Sequence, residues 1–185
     1  MIRTTAIALV LAAGLPAQAD EVSDAIQSAL DAYTAGDMQF AAEELAYAQQ
    51  LLQEMSAMSL SDCLPDAPDG WTREINTEMN AGLAMMGGGV GAEAEYSDGT
   101  NSFTVTAMAD NPMVTAMAGM LSNAAIMATM GKMTRVGRQK YVTQNGEMST
   151  MVNNRVLVQA KGAAPEVMVQ VLELIDYRKL GAFGS

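Results

Sequence analysis

The chain has 185 residues, half of them apolar, a net charge of −11 and no histidine. Without imidazole it lacks the Ser-His-Asp and Cys-His nucleophile systems and the usual nitrogen ligands of zinc. Its acidity argues against nucleic acid as a partner, and a single cysteine, Cys63, excludes an internal disulfide.

Residues 1–19 have the three parts of a secretory signal. Arg3 supplies the positive n-region, Ala6 to Leu15 the apolar run, and Ala17-Gln18-Ala19 a small-x-small cleavage site behind Pro16. The apolar run is too short for a permanent membrane span. The expected product starts at Asp20 and is periplasmic or secreted. In an oxidising compartment a lone thiol is either buried or available for an intermolecular bridge, and burial is the expected state of Cys63.

Residues 20–58 read as a helical hairpin. Val22, Ala25, Ile26, Ala29, Leu30 and Tyr33 recur at helical spacing, Gly36 ends the first helix, and Asp37 suits the N-cap of the second. The second helix carries Phe40, Ala41, Leu45, Ala48, Leu52 and Met55 on one broad face. Within residues 25–55, Gly36-Asp37 followed by Ala41, Leu45 and Ala48 resembles the middle of one tetratricopeptide repeat. Gln53 stands where that family places a proline, and no second copy follows. The resemblance implies a unit that cannot bury its own apolar face and packs on the rest of the chain or on another molecule.

Residues 59–70, with two prolines, a glycine and three aspartates, form a linker. From Trp71 to the C-terminus the pattern predicts an α+β domain, residues 71–185. Trp71–Thr77, Glu93–Ser97, Thr100–Ala109, Met133–Val136, Lys140–Gln144, Glu147–Val152 and Arg155–Ala160 are strand candidates. Asp98-Gly99, Asn145-Gly146 and Asn153-Asn154 are hairpin turn signals. The segment 81–91, AGLAMMGGGVG, is glycine-rich and is expected to be mobile. One helix is expected from Pro112 to about Met130, capped by Asp110 or Asn111, and another from Pro165. In the latter, Met168, Val171, Leu172 and Ile175 form a stripe, with Arg178 and Lys179 near the C-terminus. The expected fold is an antiparallel sheet of five or six strands with two helices packed on one face, preceded by the hairpin.

The 17 methionines are the compositional signature, and no charge occurs from Asn111 to Gly131. A helix apolar nearly all round implies heavy burial, with Met filling gaps in a core. Three other roles fit the same residues: a pliable binding surface, Cu(I) ligation through pairs such as Met117-x-x-Met120 and Met127-x-x-Met130, and membrane insertion. Catalysis would fall to carboxylates, and Glu93 and Glu95, two apart on a strand, make a candidate pair.

These observations favour an exported, non-catalytic binding protein without a cofactor, its partner a protein or an apolar ligand. A Met-rich Cu(I)-binding protein and a carboxylate-based hydrolase are the alternatives. The candidate binding residues are Phe40 and Tyr47 on the hairpin, Trp71, Met85 and Met86, and Met113, Met117 and Met120. Trp71 has a second expected role, locking the linker onto the domain.

Charge is uneven along the chain. Residues 20–110 carry seventeen acidic side chains and one basic, Arg73, whereas residues 111–185 carry eight basic and four acidic. The asymmetry fits docking of one half on the other, a cationic partner for the acidic half, or a solvated acidic surface.

Overall fold

The computed structural model describes residues 17–76, 79–85 and 87–184. Most of the expected export signal, Thr77, Glu78 and Met86 lie outside the described residues. The chain divides into two compact units, Met1–Leu52 and Gln53–Ser185.

The first unit holds α1 (Ala17–Ala35) and most of α2 (Met38–Ser61). The two helices are joined as the sequence predicts. Gly36 takes φ +87°, a conformation open to glycine, while the Gly36 and Asp37 N–H groups donate to Tyr33 O and Ala32 O. Asp37 then caps α2, its carboxylate accepting from the Phe40 N–H at 3.1 Å.

The second unit is an α+β body on one seven-stranded antiparallel sheet, ordered β1-β2-β3-β7-β6-β5-β4. β1 (Thr72–Asn76), β2 (Val90–Ser97) and β3 (Ser102–Ala109) run side by side, with α3 (Met79–Met85) between the first two in sequence. The chain leaves β3 through α4 (Pro112–Leu121) and α5 (Ala124–Met130) and lands on the far edge as β4 (Lys132–Val136). It returns by β5 (Gln139–Gln144), β6 (Glu147–Val152) and β7 (Val156–Lys161), closing the sheet against β3. Then follow α6 (Pro165–Leu172) and α7 (Tyr177–Gly181). All seven strand candidates pair, so the expectation of five or six falls short: the short edge strands β1 and β4 each find a full partner.

Turn chemistry explains the register. Asn145 and Gly146 both take positive φ, the two-residue turn whose twist matches the strands. Asn153 and Asn154 do the same between β6 and β7. Asp98-Gly99 behaves differently from the two-residue turn expected. The loop holds four residues, and the Asp98 carboxylate accepts from the Thr100 and Asn101 N–H groups at 2.8 and 2.6 Å. Those bonds hold the Asp98 pKa below the usual carboxylate value.

Period-2 alternation gives the sheet two buried faces. On one, Ala94, Tyr96, Phe103, Val105 and Val158 meet Met168, Val171, Leu172 and Leu180 of the last helices, with Leu60, Cys63 and Leu64 from the end of α2. On the other, Met108, Val142, Met151 and Leu157 meet Leu83, Val114, Leu121 and Met127. Helices therefore cover both faces, not one, because the strands carry apolar residues at both parities.

Two further expectations change. The helix expected over 112–130 breaks at Ser122-Asn123, where the Asn123 side chain accepts from Ala125 N–H at 2.9 Å and restarts the helix as α5. α4 and α5 are bent by 99°. Likewise the last helix is two helices: α6 ends at Leu172, and Asp176 caps α7, which carries Arg178 and Lys179. Within the glycine-rich segment 81–91, residues up to Met85 belong to α3, which packs on β2. The Gly91 N–H donates to Asn80 Oδ1 at 2.9 Å, and a Cβ on Gly91 would stand 2.6 Å from Leu83.

The linker is fastened to the sheet unit. The Tyr96 hydroxyl donates to Pro65 O at 2.6 Å, Arg73 pairs with Asp66 at 3.1 Å, and Lys179 Nζ reaches Asp62 O at 2.9 Å. Trp71 is half-buried and meets the Phe103 ring edge-on, with centroids 5.5 Å apart.

Candidate functional site

On α1 the buried positions are Val22, Ala25, Ala29 and Ala32, and on α2 within the first unit they are Ala41, Ala48 and Leu51. The spacing is helical, and five of the seven are alanines. Most of the larger side chains point away. Ile26, Leu30 and Tyr33 form an i, i+4, i+7 stripe on α1, and Met38, Leu45 and Leu52 repeat every seven residues on α2. Phe40 and Tyr47 form a second stripe of α2. All eight are between 43% and 59% exposed.

Helical spacing alone groups Ile26, Leu30 and Tyr33 with the α1 alanines, and Phe40, Leu45 and Leu52 with those of α2, but the alanines are buried and these larger residues are exposed. Ala25-Ala29-Ala32 and Ala41-Ala48 each follow the tightest helical repeat, and close helix approach favours small residues at such positions. Ile26, Leu30 and Tyr33 fall one position after a seam alanine, and Phe40 and Tyr47 one position before.

Charge sharpens the second stripe. Glu43 and Glu44 stand between Phe40 and Tyr47, at i+3 and i+4 from the first. Beside Phe40 lies an open cleft lined by Asp24, Asp31 and Asp37 together with Gln27 and Ser28. Asp31 accepts from Gln27 Nε2 at 2.8 Å, and Asp37 is the cap of α2.

The other candidate residues lie in the second unit. Met113 and Met120 are each 40% exposed, Met117 is partly buried against the second core, and Met127 is fully inside it. The heavy burial expected of this segment is thus confined to one side, carried by Val114, Leu121 and Met127. The break at Asn123 divides the methionine stripe between two helix directions. Met85 ends α3, and Met86 lies outside the described residues. Trp71 is half-buried against Phe103.

Cys63 is buried, its thiol 3.4 Å from Ser59 O, and burial raises its pKa. The thiol is therefore held in its unreactive form. Glu93 and Glu95 do share one face of β2, as expected. Glu93 accepts from Asn76 Nδ2 at 2.8 Å and Thr106 Oγ1 at 3.0 Å, and Glu95 accepts from Ser102 Oγ. The two buried-side tyrosines are likewise engaged. Tyr177 donates to Leu172 O and so accepts from Tyr141 at 2.8 Å; desolvation raises both, Tyr177 to about 12. Among the described residues no three His, Cys, Asp or Glu side chains gather as they would around a metal ion. Nor is any single helix among them long and apolar enough to cross a membrane.

Comparison of the chain with protein-family models, with characterised proteins and with solved structures gives no match.

Proposed function

We propose that this chain is an exported, non-catalytic interaction protein of the bacterial envelope, and that its N-terminal hairpin is the contact surface. One observation carries the proposal: the hairpin buries alanines and exposes eight large apolar side chains. Single exposed apolar residues are ordinary on protein surfaces, but a concentration of them on two adjoining helices marks an interaction site. The export signal at residues 1–19 supports the location, and the engaged carboxylates of β2 favour binding over hydrolysis.

Magnitudes limit what the apolar surface does alone. Covering the exposed half of each of these side chains gains about 1 kcal/mol at roughly 25 cal/mol per Å². Eight of them give a gross gain of about 8 kcal/mol, within the 4–15 kcal/mol cost of association. Polar and charged contacts must therefore supply the net affinity.

The test is chemical crosslinking of the protein in its native envelope, comparing wild type with a chain in which Ile26, Leu30, Leu45 and Leu52 are all glutamine. A partner that crosslinks to the wild type and is lost from the variant, with an unchanged melting temperature, is the expected result. Equal capture by the two chains rejects the hairpin as the contact surface.

A further inference from the structure

Resting on the docking role just proposed, we infer that the occupant of the Phe40–Tyr47 face is a basic amphipathic protein segment, with Lys or Arg alternating at helical spacing with Leu- or Phe-like residues. Charge identifies it. No Lys or Arg occurs between Arg3 and Arg73, and residues 20–52 carry seven acidic side chains. The face itself interleaves the two chemistries such a segment needs, two aromatic rings with Glu43 and Glu44 between them. Next to Phe40, the cleft lined by Asp24, Asp31 and Asp37 offers carboxylates around a ring. A guanidinium or ammonium entering it meets these carboxylates beside an aromatic side chain, and both interactions strengthen as water leaves.

The same charges disfavour the other occupants. A second copy docked through this face would bring Glu43, Glu44 and the aspartates of the cleft against their own counterparts, with no Lys or Arg in residues 20–52 of either copy. An anionic membrane surface is repelled for the same reason.

Two designed helical peptides test the inference, sharing one leucine stripe and carrying either Lys or Glu at every other exposed position. Each is titrated onto the purified protein by fluorescence anisotropy at low and at high salt. The lysine peptide is expected to bind at least about tenfold tighter than the glutamate peptide, with the preference shrinking at high salt. Phe40→Ala with Tyr47→Ala should weaken it by about tenfold. Reversing two of the exposed charges, Asp31→Lys with Glu43→Lys, should shrink the preference for the lysine peptide; circular dichroism of each variant verifies that the helices persist, and Glu43→Gln with Glu44→Gln serves where they do not. Equal or tighter binding of the glutamate peptide overturns the basic partner and leaves the docking role standing. If neither peptide binds and light scattering shows self-association lost on Phe40→Ala, the occupant is a second copy and the inference fails. Absence of any binding and of self-association removes the docking role as well.

Discussion

In the sheet unit Tyr96, Phe103, Tyr141, Leu157 and Leu172 are at most 2% exposed, whereas the hairpin buries Ala25, Ala29, Ala32, Ala41 and Ala48 beside Val22 and Leu51 and leaves eight large side chains exposed. Both units are rich in apolar residues, so composition does not separate them. Size at the buried positions does. A buried Leu or Phe contributes about 1.5–3 kcal/mol and a methyl group much less, so the sheet unit has a core that holds itself together and the hairpin has a thin one. A helix pair of that kind gains most when something covers it.

The contrast is open to direct attack. Phe103→Ala in the sheet unit should cost about 3–5 kcal/mol in urea unfolding, because the ring is enclosed by Trp71 and Tyr96 and leaves a cavity. Alkaline pH reaches the same core. Tyr96 and Tyr177 are raised from 10.0 to about 12 by burial, so the folded state binds their protons more tightly than the unfolded chain does. Their contribution is intact below pH 10.0 and is lost as pH rises through about 12, on the order of 2 kcal/mol for Tyr177. A pH series of urea midpoints measures it, and a flat profile from 10.0 to 12 would place both hydroxyls in water.

In the hairpin the usual order of mutational severity should invert. Ala29→Leu, an enlargement at a position 3% exposed, is expected to cost about 1–3 kcal/mol. Leu30→Ala, a truncation next door, should change stability by no more than about 0.5 kcal/mol. Thermal melts of the pair decide the matter, and the opposite ranking would put Leu30 in a core. The smallest effect belongs to the edge of the sheet. Glu74 on β1 stands directly across from Glu95 on β2, and Glu74→Lys should stabilise by about 0.2–1 kcal/mol, read as a raised melting temperature.

Much of this was legible from residues whose chemistry is local. Gly36 and Asp37 announced the turn between the first helices, Asn145-Gly146 a tight hairpin, and Met168, Val171 and Leu172 the buried side of α6. Those signals act through the backbone or through one helical turn, and tertiary context leaves them unchanged. The failures share a different cause. The break at Asn123 depends on a side chain competing with the helix that contains it. Helices on both faces of the sheet follow from strands apolar at both parities, which alternation alone does not show. In the hairpin the helical period was correct, but which part of a broad apolar arc faces inward depends on how closely two backbones approach. Phe40 and Tyr47 read as contact residues from the sequence, whereas the spacing of Ile26, Leu30 and Leu45 suits a core equally well.

The most direct measurement is the unfolding free energy of the chain carrying Ile26→Gln, Leu30→Gln, Leu45→Gln and Leu52→Gln together, followed by far-ultraviolet circular dichroism in urea. If these side chains form a surface, the helical signal is retained and stability stays within about 1 kcal/mol of wild type. A loss of about 4 kcal/mol or more, or of the helical signal before urea is added, would show that they hold the hairpin together.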